Sequence, residues 1–248
     1  MSRMQITMDE NGVAVLRMND AEKKNIFSDD FIRELIDGLD TVESKYAPKV
    51  LILAGLPGVF SAGAEKKNLL DLCDGKVHVK DLLVSEKLIA MPFPVIAAME
   101  GHAVGGGFVM AVCCDLVIAA REMRYGVVFM SLGFTPGMGC TRLLQGLVGP
   151  YVANEMMFTA RMFKGSELEG KGTNINYILP AKEVMPKALE VAAMIAEKNV
   201  KSINLLKYSL SAEKKKLLIE ARLQEDMMHR QSFAFPETRK TIEESYGK

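Results

Sequence analysis

The stretch Pro94–Gly107, PVIAAMEGHAVGGG, decides how this chain is read. Val95 to Met99 is a short apolar run bounded by prolines on one side and a glycine on the other, the pattern of a strand buried on both faces. Gly101 to Gly107 follows as a glycine-rich turn. Phe108 to Cys114 reads as a short buried helix and Leu116 to Ala120 as another buried strand. Strand, turn, helix, strand implies a mostly parallel α/β core.

Working back toward the N-terminus, the same arrangement occurs once more. Val50 to Ala54 is a β-branched apolar strand, and Phe60-Ser61-Ala62-Gly63-Ala64 is a second glycine-bearing turn after it. Such turns bring backbone close to a ligand and leave N–H groups to point at it. Two of them on neighbouring strands can aim one N–H each at a single oxygen, which is a main-chain oxyanion hole. Losing one such donor typically costs about 2.7–4 kcal/mol of barrier. A nucleotide phosphate loop is the rival reading, but the chain has no GxxxxGK[ST], and Gly105 to Gly107 does not spell GxGxxG.

The rest of the chain alternates in the same way. Val13 to Met18 is a strand. Ser28 caps a helix with Phe31, Leu35, Ile36 and Leu39 on one face. Helical patterns cover Glu65 to Leu72 and Lys80 to Ala90, the second stopped by Pro92 and Pro94. Others follow Gly139 and Pro150, and from Ala181 the pattern is helical with breaks near Asn199 and Phe235-Pro236. The division expected is a core over residues 1–194 and a helical cap or oligomer arm over 195–248. No sequence repeat or long linker is visible.

Bulk properties narrow the function classes. Of 248 residues 49% are apolar, ample for one substantial core. Lys+Arg and Asp+Glu both number 31, so no charge excess argues for nucleic-acid or membrane binding. Phe108 to Ala120 is broken by Asp115 and too short to span a bilayer. Cys73, Cys113, Cys114 and Cys140 show no metal-ligand spacing, and with no signal peptide in view they suit a reducing cytosol. No metal, flavin or nicotinamide site is visible.

Taken in order, FSAGA, PVIAAMEGHAVGGG and CDLVIA resemble the enoyl-CoA hydratase/isomerase (crotonase) superfamily, and Gly133–Gly139, GFTPGMG, resembles its G-x-x-P-G-x-G segment. The resemblance runs from about Val13 to Pro180. It implies a spiral of ββα units with a C-terminal helical region, assembled as homotrimers or paired trimers. It puts the oxyanion N–H groups at Ala64 and Gly106. The family's R/K-x-x-A-L segment is replaced by Lys23-Lys24-Asn25-Ile26-Phe27, where Lys24 can still reach a phosphate of phosphopantetheine or coenzyme A.

Two departures matter more. Hydratases of the family carry two glutamates that activate water, and the matching positions here are Val109 and Phe129. Hydration needs an acid/base pair on the water, so a hydratase is disfavoured. One branch lacks both glutamates: the decarboxylases of polyketide β-branching. Gly105–Met110, Gly133–Gly139, Met227-Met228-His229 and the close near Ser245-Tyr246-Gly247 resemble that branch. It implies decarboxylation of a 3-methylglutaconyl-type thioester on an acyl carrier protein to a 3-methylcrotonyl-type thioester, with no cofactor beyond the carrier's phosphopantetheine. Val109 and Phe129 would then wall a poorly solvated pocket.

The candidate acids are His78, Lys80 and His229. The branch places a lysine in the 78–80 region, but a gapless reading back from Pro94 puts His78 there. His229 matches a histidine the branch uses. His102, inside the oxyanion turn, reads as structural, and Tyr125 and Tyr246 as supporting groups. Lys23, Lys24, Lys66, Lys67 and Lys214-Lys215-Lys216 are candidates to meet an acidic carrier, although the last run also reads as a solvated helix face. Two other readings stand beside the decarboxylase: an enoyl thioester isomerase or dehydratase that recruits His78 or His229, and a non-catalytic binding protein of the same fold.

Overall fold

The computed structural model describes residues 2–79 and 82–245. Six strands form the main sheet, in the order β1 (Met4–Met8), β2 (Val13–Met18), β3 (Val50–Ala54), β5 (Val95–Met99), β7 (Leu116–Ala120), β10 (Tyr177–Leu179). Only β1 and β2 are antiparallel. Their turn is held by the Asp9 carboxylate, which accepts from the N–H groups of Asn11 and Val13, both at 2.9 Å. β1 lies in the segment that shows only a mixed polar and apolar pattern, because most of its residues are at the surface.

A second sheet of four short strands lies beside the first: β4 (Val59–Ser61), β6 (His102–Val104), β8 (Arg124–Gly126) and β9 (Phe163–Lys164). The chain gives one strand to the main sheet and the next to the small one, three times over: β3 then β4, β5 then β6, β7 then β8. This is the expected spiral. The stretches read as turns, 60–64 and 101–107, are therefore part strand. They were hidden because three residues are too few to show a period of two.

The main sheet is buried on both faces, and alternate side chains divide the core. Leu51, Leu53, Val95, Ala97, Met99 and Val117 point to one side. Val50, Ile52, Ala54, Ile96, Ala98 and Ile118 point to the other, where α8 (Ala181–Ala196) presents Val184, Ala188, Ala192 and Ala196. Alanine at every fourth position lets this helix lie close to the strands.

On the first side, α1 (Asp29–Thr41) is capped as expected: Ser28 Oγ accepts from Phe31 N–H at 3.3 Å, and Phe31, Leu35 and Leu39 are buried. α2 (Lys66–Cys73) follows the first turn. α3 spans Val84–Ala90, starting later than the sequence suggests, and α4 spans Gly106–Cys113, starting two residues earlier. α5 (Cys140–Val148), α6 (Pro150–Thr159) and α7 (Gly165–Gly170) complete the core. All four cysteines are free, and burial raises the Cys113 thiol pKa to about 11. Among the described residues no helix is long and apolar enough to cross a membrane.

Two more helices end the chain, α9 (Val200–Ser232) and α10 (Pro236–Ser245). Asn199 caps α9 by accepting from Lys201 N–H at 2.9 Å. The buried stripe of α9 is largely polar: Lys207, Ser211, Glu225, His229 and Ser232 accompany Ile203, Leu218 and Ala221. Lys207 Nζ meets both Asp115 oxygens at 2.7 Å, while Asp115 also accepts from Val95 N–H at 2.8 Å. Lys214 Nζ donates to the Val112 and Cys114 carbonyls, where cations are favoured at a helix C-terminus. Lys214, half-buried, thus helps to hold α4 and is not simply a solvated lysine.

Candidate active site

The two glycine turns open side by side because β4 and β6 are parallel neighbours. Gly63 and Gly105 have φ of +92° and +55°, a region that favours glycine, so the chain reverses there without strain. Gly106 is the first residue of α4, where an N–H has no carbonyl within the helix to reach. Ala64 and Gly106 both line a cavity of about 290 Å³.

The cavity wall is mostly apolar. Phe27, Leu72, Val79, Leu82, Phe129, Leu132 and Met138 contribute to it. Phe129 is buttressed by Phe134, ring centroids 5.8 Å apart, and Phe134 stacks on Phe233 at 4.5 Å. Phe129 therefore occupies the cavity as expected. Val109 does not. It is fully buried inside α4, within the main core, and does not line the cavity. Its place one turn into the helix turns it inward, so the apolar wall is built without it.

No glutamate lines the cavity among the described residues. Two aspartates do, Asp29 and Asp71, and both are bound to Lys67 Nζ, at 3.2 and 2.9 Å. Hydrogen bonds from Lys67 and Lys76 hold the Asp71 pKa below the usual carboxylate range. Asn68, beside them, donates from Nδ2 to the Phe27 carbonyl at 3.0 Å.

His78 and His229 both line the cavity, and they differ in setting. His78 is exposed. His229 is buried, and its Nε2 is 3.0 Å from the Thr135 carbonyl, which a neutral ring satisfies only with Nε2 protonated. Burial lowers its pKa, with the Thr135 contact and the nearby Glu225 charge opposing. Lys80 and Tyr246 lie outside the described residues. Lys24 is exposed, sits at φ +55° and does not line the cavity, but its carbonyl accepts from Ala62 N–H at 3.1 Å and so ties it to the first turn. His102 has a structural contact, its Nδ1 accepting from Arg124 N–H at 2.8 Å. Tyr125 is in the core, its hydroxyl accepting from Ala120 N–H at 2.8 Å, away from the cavity.

A group missed in the sequence is Glu225. It is buried, and it accepts from Gly139 N–H at 2.8 Å, Thr141 N–H at 3.0 Å and Thr141 Oγ1 at 2.7 Å. It thereby fixes the segment carrying Gly137 and Met138, which line the cavity. The signal was its spacing: Glu225 lies one helical turn before His229, on the same face.

The enoyl-CoA hydratase/isomerase family matches residues 8–246. The chain belongs to this family. Bacillaene synthase decarboxylase PksI of Bacillus subtilis is 35% identical over 238 residues, 96% of this chain and 95% of that protein. One solved structure, of a dehydratase/decarboxylase enzyme couple involved in polyketide β-branching, superposes with a TM-score of 0.94 at 34% identity, covering 98% of this chain and 95% of the other. The ECH2 decarboxylase domain of CurF from Lyngbya majuscula superposes with a TM-score of 0.92 at 31% identity, covering 99% and 100%.

Proposed function

We propose that this chain is a lyase that decarboxylates a 3-methylglutaconyl-type thioester on an acyl carrier protein to a 3-methylcrotonyl-type thioester. Its likeness to decarboxylases over nearly its whole length supports the kind of reaction. The observation that supports the finer reading is the cavity itself: Ala64 and Gly106, one from each glycine turn, line it together with a mostly apolar wall, and Phe129 stands there where a hydratase carboxylate is expected.

The bond between the substrate's carboxylate carbon and its neighbour breaks, and CO₂ leaves. The electron pair moves through the alkene to the thioester oxygen. That oxyanion accepts hydrogen bonds from the Ala64 and Gly106 N–H groups. A carbon of the dienolate then takes a proton, and the acid recovers one from solvent. An apolar wall favours the first step because the starting carboxylate loses hydration that the charge-dispersed dienolate needs less.

The proton comes from the 78–80 segment, from His78 or Lys80. His78 lines the cavity and is exposed enough to exchange with water. His229, kept neutral by burial, suits positioning or proton acceptance better than standing acid. Lys24 and Lys66 supply positive charge to steer an acidic carrier, with Lys24 reaching the phosphate, while Lys23 is paired with Glu65 and Lys67 with Asp29 and Asp71. Helix α9 exposes Leu205, Leu206, Tyr208, Leu210, Ile219 and Leu223, which supports self-association, and the homotrimer or paired trimers that the resemblance implies are the assembly proposed.

A glutaconyl thioester assayed for CO₂ release tests this reading. A variant, His78→Ala or Lys80→Ala, that still releases CO₂ in a single turnover but forms the protonated 3-methylcrotonyl product more slowly identifies the acid. A shifted double bond without CO₂ would replace the decarboxylase by an isomerase.

A further inference from the structure

The two turns need a fixed gap if Ala64 and Gly106 are to meet at one oxygen, yet the β4–β6 ladder ends before either residue. It is also irregular there: Val59 pairs with His102 and Ser61 with Ala103, so two steps on β4 match one on β6. This bulge sets the side chain of Ser61 at the join.

Ser61 is fully buried. Its Oγ donates to the Asn25 carbonyl at 2.7 Å and accepts from Gly63 N–H at 3.4 Å. On its other side is the first turn of α4. A Cβ placed on Gly107 would lie 2.5 Å from Ser61 Cβ and 2.6 Å from its Oγ, so the backbone at Gly107 rests directly on this side chain. Asn25 is anchored in turn: Nδ2 donates to the Met18 and Phe60 carbonyls at 3.1 and 3.0 Å, and Oδ1 accepts from Asp20 N–H at 2.8 Å. One small polar side chain thus touches both turns and is locked to a third, rigid point.

We propose that Ser61 is a positioning residue: its side chain is the spacer that sets the separation of the Ala64 and Gly106 N–H groups, and its bond to the Asn25 carbonyl fixes its rotamer. This rests on the oxyanion role proposed above. Serine suits the place in size and in chemistry. Glycine leaves the gap unfilled. Alanine fills it but leaves the Asn25 carbonyl without its buried donor.

The test is steady-state decarboxylation by Ser61→Ala, Ser61→Gly, Gly107→Ala and the Ser61→Gly/Gly107→Ala pair, each with its urea midpoint. Ser61→Gly is expected to lower kcat by about tenfold or more with KM within about twofold, since the donors act on the transition state. Ser61→Ala is expected to lose less. The pair, which carries the Cβ across the gap, is expected to recover activity relative to Gly107→Ala. Unchanged kcat in Ser61→Ala and Ser61→Gly, with only stability lowered, overturns the proposal, and these two variants decide it even if Gly107→Ala fails to fold. Amide NMR shifts of Ala64 and Gly106 read the same gap without turnover. If both move in Ser61→Gly while the wild type releases no CO₂, the spacer stands and the decarboxylase reading falls. If neither moves, the spacer falls.

Discussion

The glycine turns and α9, which reaches in with His229 alone, line the same cavity by opposite means. The turns offer backbone, and what matters in their sequence is the absence of side chains at Gly63, Gly105 and Gly106. α9 offers side chains, and its buried stripe of Lys207, Ser211, Glu225, His229 and Ser232 looks like a solvated face until its partners are known. A backbone donor is placed by local conformation. A side-chain donor on a helix is placed by everything the helix docks against. The first kind of site is written as local motifs, with the gap between two of them left to contacts such as Ser61 with the Asn25 carbonyl; the second is not.

Substitutions can break this contrast, and their effects differ in size. Gly106→Pro removes one N–H at a first helical position, where the backbone accepts proline; its Cβ meets Phe27 and Met138 at 2.8 and 2.9 Å, so Gly106→Ala, which adds that Cβ and keeps the N–H, is its control. The proline variant should lower kcat by about 10²–10³, with circular dichroism checking that α4 survives beside Phe27 and Met138. Phe129→Glu should come next, lowering decarboxylation by about tenfold or more as a carboxylate enters the apolar wall. A full rate in that variant would mean that desolvation of the substrate carboxylate is not part of the chemistry.

On the helix side, Glu225→Ala strips buried donors at Gly139 and Thr141 of their acceptor. Loss of about 2–3 kcal/mol in urea unfolding is expected, with kcat reduced because Gly137 and Met138 move. Val109→Ala sharpens the comparison from the core side: about 2 kcal/mol of stability lost and kcat unchanged, since Val109 does not line the cavity.

The smallest effect is on pH dependence. The folded chain holds His229 neutral more strongly than the unfolded chain does, so the unfolded state binds the extra proton first. Its contribution to stability is therefore full above the ordinary imidazole value near 6.5 and is lost as pH falls below it. His229→Gln should flatten the acid side of the urea midpoint profile. An unchanged profile would place the acid sensitivity in other groups.

Which parts were legible follows the same contrast. β3, β5 and β7 could be read because their apolar runs are buried on both faces. β4, β6 and β8 could not, because each has only three residues and gains its strand character from its neighbours. The threefold alternation between sheets left no sequence repeat, since each turn of the spiral needs only apolar strands and a glycine. In the site, Ala64, Gly106 and Phe129 were found from motifs and do line the cavity. Val109 matches a catalytic position of the family but faces the core, because the match gives the position along α4 and not which way the side chain packs. Lys214 sits in a run that the sequence presents as surface charge, yet two carbonyls at the end of α4 hold it. Glu225 was visible in principle, four residues before His229, but a charged residue on a helix gives no hint of burial until its N–H partners are seen.

The most direct test of the account is intact-protein mass spectrometry of an acyl carrier protein loaded with a 3-methylglutaconyl thioester, with and without this chain. The account predicts that the carrier loses the mass of one CO₂ when the chain is present, and that Gly106→Pro slows that loss. A carrier that keeps its mass, or gains that of one water, would contradict it.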